Sequence, residues 1–164
     1  MLLRYLLVLL FLIPIKAKAL IEVDITRGNL NPLPVAVSPL SIDENSKNSF
    51  KKILKKENIG SEISIIVENN LKQSGLFNPL DKEAFLQKPD IAHLKPRFED
   101  WSLIKAQALI TGKVDFQDNK LRVEFRLWDV LAGKEMLALA FTTVPTNWRR
   151  VGHIITDKVY ERLT

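Results

Sequence analysis

Apolar and polar residues alternate most regularly between residues 106 and 144. Ala108, Ile110, Gly112, Val114 and Phe116 share one parity, and Gln107, Thr111, Lys113 and Asp115 share the other. After the polar turn Gln117-Asp118-Asn119-Lys120 the alternation resumes, with Leu121, Val123, Phe125 and Leu127 set against Arg122, Glu124 and Arg126. Side chains of a strand point alternately to its two faces, so this pattern predicts a β-hairpin with one buried and one wet face. A second turn, Leu131-Ala132-Gly133-Lys134, leads into residues 135–144, which are apolar on both parities. That pattern predicts a third strand covered on both faces. The three strands form an antiparallel meander, taken as the centre of the domain.

Helical periodicity flanks the meander. Ile59, Ile63, Ile66, Val67, Asn70 and Leu71 fall on one stripe of a helix over 61–74, with Ser61 as its N-cap and Gly75 as a left-handed terminator. Trp148, Val151, Ile155, Val159 and Leu163, with Ile154 beside them, form the inner face of a helix running to the end of the sequence. Its outer surface carries Arg149, Arg150, His153, Asp157, Lys158, Glu161 and Arg162. Upstream, residues 31–34 read as an extended, proline-fixed linker, 35–37 as a short buried strand and 41–48 as loop. Residues 50–56 read as a short basic segment covering the sheet edge through Phe50, Ile53 and Leu54. Asp81 caps a brief helix over 82–87, and Pro89 and Pro96 bracket a loop. Residues 98–105 read as a short helix with Phe98, Trp101, Leu103 and Ile104. The fold class is α/β of the α+β type: a mixed sheet containing the meander, packed by two main helices.

The leading residues have a different character. Residues 1–4 carry one positive charge, 5–13 are apolar, Pro14 interrupts the run, and Ala17-Lys18-Ala19 has the small-x-small pattern cut by signal peptidases. Residues 1–19 therefore read as a secretory signal peptide cut after Ala19. The alternative is an uncleaved anchor, for which the apolar stretch is shorter than the ~20 residues of a full span. In Leu20-Ile21-Glu22-Val23-Asp24-Ile25-Thr26-Arg27 the apolar residues Ile21, Val23 and Ile25 alternate with Glu22, Asp24 and Thr26. Such a strand either enters its own sheet, the choice favoured on general grounds, or adds to the edge of another protein's sheet.

Composition narrows the chemistry. Without cysteine, disulfides and thiolate sites are excluded. The formal charge is +5, from 24 basic and 19 acidic residues; three of the basic ones and no acid lie in the first nineteen positions, leaving +2. That is little support for nucleic-acid binding, which needs a clustered basic field. His93 and His153 are the only histidines, and neither sits in a ligand or catalytic pattern. No P-loop, nucleophile elbow or metal-ligand spacing occurs, so no cofactor, metal or small-molecule substrate is expected. A hydrolase built on Asp115, Asp129 and His153 is the weakest reading, since the three lie on separate elements. Trp128 shares the polar parity of its strand; it either faces solvent or a partner, or packs beneath a helix on the second sheet face.

Several blocks in order carry a resemblance: Ser74-Gly75-Leu76-Phe77-Asn78-Pro79-Leu80-Asp81, Trp101, Ala108-Leu109-Ile110-Thr111-Gly112-Lys113-Val114, Leu127-Trp128-Asp129-Val130, and the closing helix from Trp148. Together they resemble the amino-terminal domain of the TolB family, periplasmic proteins of the Tol–Pal envelope system. The resemblance implies a non-enzymatic α/β domain, 35–164, preceded by a mobile strand and linker, 20–34. It implies that residues 20–27 bind the inner-membrane protein TolA, which reverses the preference for that strand drawn from the residues alone. In the family a β-propeller follows and carries the contacts to the lipoprotein Pal; none is found in this sequence, so no residue is assigned to Pal. The implied role is an adaptor that maintains outer-membrane integrity and its invagination at division. A membrane-anchored envelope protein is the alternative.

Overall fold

The computed structural model describes residues 31–164. The predicted signal peptide, with Ala17 and Ala19, and the predicted binding segment 20–27 lie outside the described residues. In chain order the elements are β1 (Leu33–Val37), β2 (Ser41–Ile42), α1 (Glu44–Leu54), α2 (Ile59–Gln73), β3 (Phe77–Pro79), α3 (Pro89–Ala92), α4 (Phe98–Leu103), β4 (Ala108–Gln117), β5 (Lys120–Asp129), β6 (Lys134–Thr143) and α5 (Trp148–Leu163). Single 3₁₀ turns lie at Lys82–Ala84 and Pro145–Asn147. The strands make one mixed sheet in the order β3-β1-β4-β5-β6, and β2 continues the line of β1 along β4. Pairing among β3, β1 and β4 is parallel; β4-β5-β6 is the predicted antiparallel meander.

The β4–β5 turn is tight because Asp118 and Asn119 both take positive φ, 49° and 58°. That matches the twist of a two-residue hairpin and suits short polar side chains that tolerate this region. Gly112 faces Phe125 across the ladder, and a Cβ there would lie 2.1 Å from the Glu124 carbonyl oxygen. Only glycine fits that approach. β6 departs from expectation: its apolar residues fall on both parities, yet the strand is the sheet edge and one face is open. Leu137, Leu139 and Phe141 turn inward, while Ala138, Ala140 and Thr142 are exposed. Alanine is small enough to stand in water at little cost, so an apolar run did not require a second cover.

One face of the sheet carries the main core. Val35, Val37, Ala108, Ile110, Val114, Leu121, Val123, Phe125 and Leu127 meet Phe50 of α1, Ile59, Ile63, Val67 and Leu71 of α2, and the predicted apolar face of α5. Three corrections concern the approach to this core. Residues 41–48 are not loop, because Asp43 takes an extended conformation and accepts the Ser46 N–H at 2.9 Å, starting an eleven-residue α1. Apart from the buried Ser46, its polar stretch is the wet side of a helix anchored by Phe50. The cap of α2 is Asn58, accepting the Ser61 N–H at 3.2 Å, rather than Ser61. The linker ends earlier than expected: Leu33 and Pro34 already belong to β1, where the Leu33 N–H bonds the Leu76 carbonyl at 2.8 Å. Proline is tolerated because its fixed φ is extended and it sits near the strand start.

The second face is half covered. A smaller core of Ala36, Ala92, Trp101, Ala106, Leu109 and Val130 lies under α3 and α4. Trp128 joins it, edge-on to Phe98 with ring centroids 5.8 Å apart and its indole N–H bonded to Thr111 Oγ1 at 2.8 Å. Of the two fates open to that tryptophan, packing beneath a helix is the one observed. Among the described residues, nothing covers the remaining half of this face, across β4, β5 and β6.

Candidate functional site

Residue 33 is where the predicted binding segment meets the folded domain. β1 is hydrogen-bonded on both sides, to β3 through Leu33 and Val35 and to β4 through Pro34, whose carbonyl accepts the Gln107 N–H at 3.0 Å. Leu33, Val35, Ala36 and Val37 are buried. Five residues, 28–32, therefore separate Arg27 from an anchor in the interior of the sheet. Everything that Leu20, Ile21, Glu22, Val23, Asp24, Ile25, Thr26 and Arg27 do is tethered at that point.

The open half of the second sheet face is a ladder of alternating charge. Lys113 Nζ lies 2.8 Å from Asp115, Arg122 Nη2 2.9 Å from Glu124, and Arg126 Nε 3.2 Å from Glu135. The hydrogen bond from Arg122 holds the Glu124 carboxyl below its ordinary value, and the one that Lys113 donates to Asp115 holds the Lys113 ammonium above its own. These are close ion pairs laid along a flat, partly exposed surface. Arg126 also donates to the His93 carbonyl at 2.9 Å and pins the α3 loop over the ladder. His93 is thus less solvated than its sequence context predicts: Nδ1 lies 3.0 Å from the Asp90 carbonyl, which requires a proton on that nitrogen, and 3.4 Å from Ser41 Oγ.

The hydrolase triad does not assemble. Asp115 and Asp129 sit at opposite ends of the β4–β5 ladder, opposite Arg122 and Ala108 respectively. At about 3.3 Å per residue they are roughly 23 Å apart. Asp129 is fully buried and closes the β5–β6 turn by accepting the Ala132 N–H at 2.7 Å. His153 lies on exposed helix surface, where Nδ1 accepts from Asn70 Nδ2 at 2.8 Å. Among the described residues no three His, Asp or Glu side chains converge as a metal site, and no helix is long and apolar enough to cross a membrane.

What the geometry offers is strand edges and flat faces. β3 is a three-residue edge closed by Pro79, whereas β6 is a ten-residue edge. Beside β6 runs a groove lined by Phe141, Thr143, Arg150, Val151 and Ile154. Nothing in the sequence pattern singled out this groove, because its two walls are 10 residues apart and their adjacency depends on how α5 lies on the sheet.

A family model described as the TolB amino-terminal domain matches residues 21–136. The Tol-Pal system protein TolB of Pelagibacter ubique (strain HTCC1062) is 84% identical over 164 residues, which is all of this chain and 37% of that protein. The chain thus spans about a third of that relative's length. Among solved structures, TolB from Acinetobacter baumannii superposes with a TM-score of 0.62 at 19% identity, covering 88% of this chain and 31% of that one.

Proposed function

The chain belongs to the TolB amino-terminal domain family, and from that premise we propose that it is the amino-terminal adaptor module of a Tol–Pal envelope system. It works in the periplasm, reached after cleavage of residues 1–19, and acts by holding proteins together rather than by catalysis. Its task is to help keep the outer membrane intact and drawn inward at division. Residues 20–27 lend a strand to the sheet of TolA. Main-chain hydrogen bonds supply affinity, Ile21, Val23 and Ile25 fill pockets, and Glu22 and Asp24 guide encounter with a basic partner. Contacts to Pal belong to parts of the relatives beyond the length matched here.

The observation that carries this reading is the family match over residues 21–136, which begins within the alternating segment. The attachment at β1 supports it: the segment is short, charged and tethered to a rigid sheet rather than to a loop. Deleting residues 20–26 is expected to abolish retention by immobilised TolA while leaving the thermal midpoint within about 2 °C, since the deletion stops short of β1. Undiminished retention would remove the segment from the role.

A further inference from the structure

The charges of the fold are unevenly placed. Residues 47–56, most of α1 and the start of the turn after it, hold Lys47, Lys51, Lys52, Lys55 and Lys56 and no acid. Arg149 and Arg150 stand in the first turn of α5, and the 3₁₀ turn before them packs against α1. The two sets meet at Trp148: Lys56 Nζ lies 5.3 Å and Arg149 Cζ 4.1 Å from its ring centroid. With the flanking Asp43, Glu44, Glu57 and Glu62, this corner has seven basic residues against four acidic ones, whereas the rest of residues 31–164 has thirteen of each. The positive excess of the described residues therefore sits in one place.

The four acids are engaged by near neighbours. Asp43 caps α1 through the Ser46 N–H, Lys47 Nζ lies 2.5 Å from Glu44, Lys51 pairs with Glu57, and Lys56 Nζ lies 2.5 Å from Glu62. Lys52, Lys55, Arg149 and Arg150 are exposed. Two aliphatic side chains stand in the same corner, Ile53 at 49% and Val144 at 52% exposure. The corner also has a definite place along the sheet. Ser46 of α1 bonds Phe116 near the end of β4, whereas β1 joins β4 at its start, where Val35 pairs with Ala108. α5 begins in the corner and finishes beside Met136, near the start of β6. The cations thus lie at the end of the sheet opposite Leu33 and Leu163, about 33 Å away over the ten residues of β4.

We infer that this corner docks on an anionic phospholipid bilayer. Its cations lie among the headgroup phosphates, and Ile53 and Val144 reach the boundary of the acyl chains. Clusters of Lys and Arg on a helix that also presents apolar side chains are drawn to anionic lipid surfaces in this way. The residue types favour a bilayer over an acidic protein. All the cations of α1 are lysines, compact charges on flexible stems that suit headgroups moving in a plane, whereas paired recognition of a fixed carboxylate is the strength of arginine's fork. Docking here turns Leu33 and the segment ahead of it away from the bilayer. The inference goes beyond the proposed adaptor role and uses neither residues 20–27 nor a protein partner.

Vesicle co-sedimentation reads the contact directly. The chain from Leu20 onward is used, because the apolar run of residues 1–19 would itself enter a bilayer. Partition onto phosphatidylcholine vesicles carrying about 30 mol% phosphatidylglycerol is expected to exceed that onto pure phosphatidylcholine at least about tenfold. The difference should shrink as salt rises from about 50 to about 300 mM, since screening shortens the reach of the charges. Lys52→Glu combined with Arg150→Glu, one change on each element, is expected to lower the partition at least about tenfold. Lys88→Glu combined with Lys95→Glu makes the same change of net charge outside the corner and should leave it within about threefold. Ile53→Ser should weaken vesicle binding about threefold and leave binding to soluble polyglutamate unaltered. Circular dichroism checks that each variant is folded. Equal partition onto both vesicles, equal losses from the two double variants, indifference to Ile53→Ser, or polyglutamate bound as tightly as the anionic vesicles would each overturn the assignment.

Discussion

Ser46 illustrates how much one small side chain can join. It is buried; its hydroxyl donates to Asp43 Oδ2 at 2.7 Å and accepts the Phe116 N–H at 2.9 Å, linking the start of α1 to the far end of β4. The Ser46 hydroxyl and N–H together hold the Asp43 carboxyl below its ordinary range. A carboxyl lowered in the folded state contributes stability that is present above its unfolded value and lost as the pH falls through the folded one. Asp43→Ala should therefore cost about 1 kcal/mol at neutral pH. Urea titrations at successive pH values should show that deficit shrinking as the pH drops below the ordinary value of 3.8. Gly152 is a second pressure point. It lies where α5 crosses α2, and a Cβ there would come 2.9 Å from Ile66 Cγ2 and 3.0 Å from Ile66 Cβ. The methyl group of Gly152→Ala must push the helices apart, and overpacking of this kind costs about 1–3 kcal/mol. A lowered denaturation midpoint with unchanged slope is the expected reading; a gain in stability, the usual result of Gly→Ala inside a helix, would contradict the close approach.

At the scale of elements, what could be read from residues alone depended on how many of them repeated the message. The β4–β5 hairpin and α5 each present four or more apolar residues at a fixed period, and both stand where the pattern places them. α1 gave a weak signal because only Ser46 and Phe50 of its eleven residues are buried, and a buried serine looks like loop. β6 misled through its alanines, which carry little information about which side is wet. The β6 groove was invisible for a different reason, since it exists only once α5 is docked. The cover of the second face is held similarly, by one residue that no pattern marks. Gln87 Oε1 accepts from Trp101 Nε1 at 3.1 Å and from the Arg97 N–H at 2.9 Å, while Nε2 donates to the Lys95 carbonyl at 3.0 Å. Gln87→Leu leaves the indole N–H and two backbone groups without partners in a site that is 4% exposed in the parent. Leaving a buried group unsatisfied costs about 1–3 kcal/mol. Amide exchange in residues 85–97 should accelerate well before that of β4 and β5; uniform acceleration throughout the molecule would mean that the cover and the main core unfold as one.

Taken as a whole, the molecule is thick on one side of its sheet and thin on the other. The main core joins strands on either side of β4 to three helices, whereas the second core is confined to one end. Protection should follow that asymmetry, because local opening is easiest where few buried contacts must be given up. Native-state hydrogen exchange should find the slowest amides in β1, β4 and β5, and faster exchange in α3 and α4. Exchange in β1 as fast as in α3 would argue against a rigid anchor at residue 33. The charge ladder on the open face adds little to this order, since partly exposed ion pairs are worth about 0–1 kcal/mol each. Its contribution is to keep half of the sheet wet.

The position of β1 also determines how the domain bears tension. A pull on residues ahead of Leu33 reaches the fold between two neighbours, β3 and β4, and not at a border strand. Release would require both flanking ladders to yield, together with the buried side chains of Leu33, Val35 and Val37. A border strand would instead peel away with only one set of bonds broken. In the proposed adaptor role, a partner gripping the leading segment would be fastened to the middle of the fold, and under strain the grip should let go before the domain unravels.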